Sequence, residues 1–138
     1  MPRRPLPEPT PETREFWDGA KRGELRIQRC RSCGRAYFFP RPFCPHCSSK
    51  DVEWFTASGR GTLHTYVINH RPAHGFDDIA PYVIAVVQLE EGPRMMTNIV
   101  GVDPTPEALP VDLPVEVTWE SVGDDIALPM FRPAGVAP

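Results

Sequence analysis

All four cysteines of the chain fall in one stretch, CRSCGRAYFFPRPFCPHC, as two Cys-x-x-Cys pairs: Cys30 with Cys33, and Cys44 with Cys47. Ten residues, Gly34 through Phe43, separate the pairs. Each pair sets two sulfurs on one side of a tight turn, with amide N–H groups aimed at the thiolates. Gly34, directly after the second cysteine, supplies the positive-φ freedom such a turn needs, and Pro45 stiffens the second turn. Two knuckles face to face make a tetrahedral sulfur site, which suits zinc at about 2.3 Å. Three chemistries are then open: a structural staple, a redox centre, or part of a catalytic site.

A catalytic zinc keeps one position open for water, whereas four thiolates close the shell. His46 lies inside the second knuckle, but a complete cysteine set leaves it no necessary role as a ligand. CxxCG paired with CPxC also resembles the iron site of rubredoxin, so an iron-bearing electron carrier stays open. The segment from Leu25 to Phe55 is too short to bury a core of its own, and a bound metal would hold it together. The stretch therefore reads as a structural zinc ribbon.

No second set of residues makes a convincing catalytic constellation. His64 sits on an expected strand, and His70, His74, Asp77 and Asp78 lie in a polar, proline-broken loop, NHRPAHGFDDIAP. These read as barrel-face and surface-loop residues. Ser32, Ser58 and Ser121, like the knuckle pair Ser48-Ser49, lack the context of a nucleophile elbow. With every cysteine committed to metal, no thiol remains as a nucleophile. An independent enzyme is not expected.

The elements that must carry these residues are legible from pattern. Residues 1–10 are proline-rich and read as a loose tail. Thr10-Pro11 resembles an N-cap followed by proline at the first helical position, Glu12 suits the first turn, and Gly23 closes the helix. Phe16, Trp17 and Ala20 share one helical face; two adjacent large aromatics on so short a helix read either as core or as a partner-facing anchor. Leu25 and Ile27 alternate with polar neighbours in a short strand running into Cys30. Period-two alternation then marks GTLHTYVIN, introduced by Gly59-Arg60-Gly61. A hairpin follows, with strands Tyr82–Leu89 and Arg94–Val100 around Glu90-Glu91-Gly92-Pro93. Strands from Val115 and Ile126 flank a turn at Gly123-Asp124-Asp125. Five strands in about seventy-five residues fit a small, partly open barrel of the OB type, where a sandwich would want about seven strands. The expected fold is mainly β: N-terminal tail and helix (1–24), four-cysteine zinc ribbon (25–55), five-stranded OB-fold barrel (56–133) and a short tail (134–138).

Composition limits the function classes. The chain has 138 residues, enough for one domain or two small lobes, and 41% are hydrophobic. No eighteen-residue apolar run exists, so no transmembrane span is expected. The basic N-terminus lacks an apolar stretch behind it, so a signal peptide is not expected either. The expected location is the reducing cytoplasm, where disulfides are disfavoured. The 18 prolines exceed the usual ~5% and point to a rigid, loop-rich fold. Acids outnumber bases 18 to 15, giving a formal charge of −3 and a pI near 5.8. That balance argues against a binder of phosphate backbones. A nucleic-acid module remains the main rival reading, because zinc ribbons and OB-folds both serve that purpose, but it wants a basic groove with stacking aromatics.

The run FWDGAKRGEL, CRSCG…FCPHC, SGRGTLHTYVINHRPAH, PYVIAVVQLEEGPRMMTNIVG, PVEVTWE and LPMFRP resembles one family in this order. Its members are acyl-CoA-associated proteins, long known only as a domain of unknown function, that join a rubredoxin-like zinc ribbon to an OB-fold. The resemblance covers Phe16 to Pro133. One departure is visible: the family commonly has glycine shortly before the PVEV strand, where Asp112 stands here. The resemblance implies a structural Zn2+ on Cys30, Cys33, Cys44 and Cys47. It also implies an accessory role beside thiolase-superfamily enzymes, thiolases or lipid-transfer-protein-like aldolases, and beside hydratase-like subunits in steroid side-chain degradation. The OB face and ribbon would contact the partner or CoA, Phe16 and Trp17 being candidate anchors. CoA contact calls for arginine next to an apolar wall, and Arg60, Arg71 and Arg94, each at a strand-to-loop junction, are the candidates. Neither a membrane nor nucleic acid is expected as partner.

Overall fold

The computed structural model describes residues 6–122 and 125–135. Its single α-helix among these, α1 (Arg14–Lys21), starts three residues later than the Thr10-Pro11 signal suggests, with Thr13 at the N-cap. Thr10 to Thr13 form a turn instead. The Thr13 N–H donates to the Thr10 carbonyl at 3.1 Å, and the Thr10 N–H donates to Thr13 Oγ1 at 2.9 Å. The Thr13 hydroxyl is thereby engaged in the turn and makes no cap bond. Gly23 does close the helix, at φ +77°. Its N–H bonds to the Ala20 carbonyl and that of Glu24 to the Gly19 carbonyl, the paired bonds of a Schellman cap.

Three short strands form the ribbon sheet: β1 (Arg26–Cys30), β2 (Ala36–Tyr37) and β3 (Val52–Thr56), in the order β2-β1-β3. Pairing is antiparallel, with Cys30 opposite Val52 and Arg26 opposite Thr56. Only β1 is legible in the sequence. β2 has two residues, and β3 has no clean alternation because four of its five residues are half-buried.

The barrel strands are β4 (Arg60–Asn69), β5 (Tyr82–Leu89), β6 (Arg94–Ile99), β7 (Pro114–Ser121) and β8 (Ala127–Pro133). They close in the order β4-β5-β6-β8-β7, so the barrel is closed where a partly open one was expected. Closure depends on β7 returning to β4 at Arg60, Gly61 and Thr62, and on β6 meeting β8 in parallel at Ile99 and Phe131. The glycine pair explains how three strands crowd this corner. Gly59 lies at φ +80°, and a Cβ on Gly61 would sit 2.4 Å from the Gln88 carbonyl oxygen. Of the turn expected between β7 and β8, Gly123 and Asp124 lie outside the described residues.

Alternation on β5 sends Val83, Ala85, Val87 and Leu89 inward, where they meet Leu63, Val115 and Phe131. The core does not stop at the barrel. Phe16, Trp17, Leu25 and Ile27 belong to the same continuous cluster. Phe16 is 2% exposed and Trp17 8%, and their rings meet edge to face at 4.9 Å. The reading of these aromatics as a partner-facing anchor is therefore corrected: they cement α1 to the chain's own core. Burying each contributes on the order of 2–3 kcal/mol, a gain lost if they faced outward. The ribbon's own apolar cluster is small, Cys30, Tyr37 and Cys44 with Val52 against them.

Candidate metal centre and the clefts around it

The two knuckles are near copies. The Gly34 N–H donates to the Cys30 carbonyl at 2.8 Å, and the Ser48 N–H to the Cys44 carbonyl at 2.9 Å. Both turns require positive φ, +79° at Gly34 and +66° at Ser48; the serine is the less obvious of the two because its type does not announce the conformation. Amides point at sulfur as the spacing suggests: Cys33 N–H to Cys30 Sγ at 3.4 Å and His46 N–H to Cys44 Sγ at 3.3 Å. His46 thus serves the site through its backbone.

The four sulfurs lie within 4.8 Å of one another. Cys30 and Cys47 are 3.6 Å apart, and Cys33 and Cys44 3.7 Å. A tetrahedron with metal–sulfur bonds of about 2.3 Å has edges of about 3.8 Å, so the cage already has the size of its ion. Charge tells the same story. The Cys33 amide, helped by the Cys47 thiol and the Ser32 amide, holds the Cys30 thiol down at about 6 despite burial. The Ser49 amide draws Cys47 down, but the neighbouring thiols and desolvation outweigh it and push that group up to about 12. Four sulfurs this close cannot all ionise unaided. A divalent cation removes the conflict, because it takes the thiols as thiolates. Cys30 and Cys44 are fully buried while Cys33 and Cys47 are exposed, and four sulfurs leave no open coordination position. The donor set fits a closed, structural metal site.

The three candidate CoA arginines are not brought together. Arg60, at the start of β4, pairs with Glu90 at 3.2 Å, an interaction that holds the Glu90 carboxyl below its usual range. Arg71 lies in the exposed loop beyond the other end of β4, where its N–H bonds Asn69 Oδ1. Arg94, at the start of β6, donates from Nε to Gln88 Oε1 at 2.9 Å. Arg60 and Arg94 flank the β5–β6 hairpin on different cavities. Arg94 opens onto a cleft of about 580 Å³ between the hairpin tip and the ribbon, lined also by Arg29, Arg35, Arg41, His46 and Glu91. Sequence reasoning passed over Arg29, Arg35 and Arg41. The available signal was a basic residue before the first knuckle, another directly after it, and a third before the second.

The histidines and acids set aside above remain scattered. His64, His70, His74, Asp77 and Asp78 are all exposed; His64 sits at a bulge in β4, where the register with β5 shifts. A second cavity, about 480 Å³ and lined by Tyr82, Trp119, Val100 and Met130, opens on the barrel. No helix among the described residues is long and apolar enough to cross a membrane.

Comparison with known proteins agrees with this architecture. Residues 17–53 match the model of the ChsH2 rubredoxin-like zinc ribbon domain, and residues 54–120 that of the ChsH2 C-terminal OB-fold domain. A DUF35 domain-containing scaffold protein of Methanothermobacter thermautotrophicus is 37% identical over 76% of this chain and 78% of its own length. A probable enoyl-CoA hydratase alpha subunit of Thermomonospora curvata is 40% identical over 86% of this chain. The 3-oxo-4,17-pregnadiene-20-carboxyl-CoA hydratase alpha subunit of Mycobacterium tuberculosis is 38% identical over 82%. This chain spans only 37% and 35% of those two hydratase subunits. Among solved structures, a chain of the Ltp2-ChsH2(DUF35) aldolase superposes with a TM-score of 0.81 at 36% identity, over 94% of this chain and 99% of that one. On ribbon, barrel and cysteine cage together, this chain belongs to the ChsH2/DUF35 family of zinc-ribbon/OB-fold proteins.

Proposed function

We propose that this chain is a non-catalytic accessory subunit that binds a thiolase-superfamily acyl-CoA enzyme, a thiolase or a lipid-transfer-protein-like aldolase, and supports its assembly and activity. The observation that carries the reading is the likeness, over 99% of its length, to a chain of the Ltp2-ChsH2(DUF35) aldolase. A steroid acyl-CoA or fatty acyl-CoA pathway in the cytoplasm is the setting this suggests. The relative that is a subunit of a pregnadiene-carboxyl-CoA hydratase supports the steroid side, with a hydratase-like subunit as a further partner. The metal in the cage is zinc and its role is structural: it braces a ribbon that has too few apolar residues to fold unaided. CoA bound to the partner is shared with this chain, through Arg94 in the ribbon–barrel cleft or through Arg60 or Arg71.

The test is reconstitution. A thiolase-like enzyme from the same host is produced with and without this chain, and its yield, elution and acyl-CoA cleavage or condensation are measured. Co-elution in fixed proportion and activity dependent on this chain are expected. An enzyme equally soluble and active alone overturns the reading.

A further inference from the structure

Between the two cysteine knuckles runs Phe39-Pro40-Arg41-Pro42-Phe43, and this loop presents its aromatics to solvent. Phe39 and Phe43 are each 44% exposed; every other aromatic side chain among the described residues is buried or half-buried. A single exposed apolar residue is ordinary on a protein surface. Two phenylalanines four positions apart, with an exposed arginine between them, have the composition of an interface centre, where aromatics and arginine are enriched.

The loop is also held rigid. The Arg41 N–H donates to Gln28 Oε1 at 2.7 Å, and the Arg41 carbonyl accepts from the Tyr37 hydroxyl at 3.1 Å. Gln28 and Tyr37 are themselves buried, at 4% and 3% exposed. Pro40 and Pro42 fix φ on either side of Arg41, and Cys44 ties the far end to the metal cage. Phe39 is steadied edge to face by Phe38 at 5.3 Å. A loop ordered before binding spares the complex most of the entropy of ordering it.

Charge states what kind of face would meet this loop. Residues 25–55 hold six Lys and Arg against two Asp and Glu, and the remainder of the chain holds nine against sixteen. A divalent metal on four thiolates contributes −2, so the loaded ribbon keeps a net charge of +2 on an otherwise acidic chain. One acid, Glu12, lines a cleft beside Arg41. A partner face that is apolar at its centre and carries carboxylates at its rim complements this tip. Single-stranded nucleic acid fits less well, because two aromatics make no groove and the acidic remainder repels a polyanion.

We infer that the loop of residues 39–43 is the ribbon's docking point for the thiolase-superfamily subunit. Phe39 and Phe43 enter an apolar pocket of that protein, and Arg41 meets carboxylates at the pocket's rim. The inference rests on the accessory reading and deepens it, naming the surface used and the chemistry of the face it meets.

The test is binding kinetics between the metal-loaded full chain and a thiolase-like enzyme from the same host, at low and high salt. It is repeated on Phe39→Ser/Phe43→Ser, on Phe43→Ser alone, on Arg41→Glu, and on Val111→Ser, whose residue is 72% exposed outside the loop. Metal content and thermal melting show that each variant folds; Phe43→Ser covers the case in which losing Phe39 also loosens Phe38. The double variant should bind about thirtyfold more weakly or worse, chiefly through faster dissociation, and Phe43→Ser should share part of that loss. Arg41→Glu should slow association about tenfold at low salt, with the difference shrinking at high salt. Val111→Ser should bind as the unaltered chain does. Folded loop variants that bind the enzyme unchanged overturn the inference and leave the accessory reading standing. An unaltered chain that does not bind the enzyme overturns both. Loop-dependent binding of a single-stranded oligonucleotide beside loop-independent binding of the enzyme also overturns the inference and assigns the loop to nucleic acid.

Discussion

Replacing Phe16 with alanine separates a core residue from a partner anchor, and the size of the effect follows from the packing. The ring is 2% exposed and meets Trp17 at 4.9 Å, Phe38 at 5.6 Å and Phe39 at 6.1 Å. Truncating a buried phenylalanine costs about 3–5 kcal/mol, through lost transfer energy and the cavity left behind. With about 2.1 cal/mol/K of unfolding entropy per residue, a chain of 138 residues unfolds with about 0.29 kcal/mol/K. Phe16→Ala should therefore lower Tm by about 10–17 °C in the metal-loaded chain alone, with no partner present. Phe16→Leu, which keeps most of the volume, should cost under about 1.5 kcal/mol, or about 5 °C. Calorimetric melting of the three proteins, with urea titration as a second measure, reads the difference. A Phe16→Ala shift under about 2 °C, with partner binding lost, would refute the core assignment and restore the anchor.

The cage should hold one zinc per chain and leave the purified protein colourless. Chelation should unfold the ribbon, seen as lost amide protection between residues 26 and 56, whereas a red protein with iron in the site would favour the electron-carrier reading. Asp112→Gly should raise stability by about 0.5–1 kcal/mol, or about 2–3 °C. Asp112 sits at φ +64°, which costs an L-residue about 1–2 kcal/mol, partly offset by the extra chain entropy of glycine. Gly61→Ala should destabilise strongly, by more than about 3 kcal/mol on thermal melting, because its Cβ meets backbone that cannot step aside, the Gln88 carbonyl at 2.4 Å; a neutral Gly61→Ala would mean that the barrel corner opens freely.

The barrel was readable because its central hairpin, β5 and β6, alternates strictly and its turn carries glycine, Gly92. The cage was readable because cysteine spacing is itself geometry. Elements built from tertiary context escaped. The helix start moved because Thr10 and Thr13 preferred each other to the helix, a local competition that propensity does not rank. β2 and β3 exist because β1 offers edges to pair with, and their own composition says little. Asp112 was noted as a departure from the family's glycine, and its left-handed conformation explains why glycine suits that position. The arginine cleft was illegible for a different reason. Arg29, Arg35, Arg41 and Arg94 span 66 positions, and only the docking of the hairpin tip against the ribbon brings them together.

The most direct measurement is recovery of the tagged chain from its native host, followed by native mass determination of what it carries. A thiolase-like enzyme in a fixed whole-number ratio, with zinc in the cage, is the result predicted. Nucleic acid, or ribosomal and transcription proteins without such an enzyme, would contradict the account and promote the nucleic-acid reading.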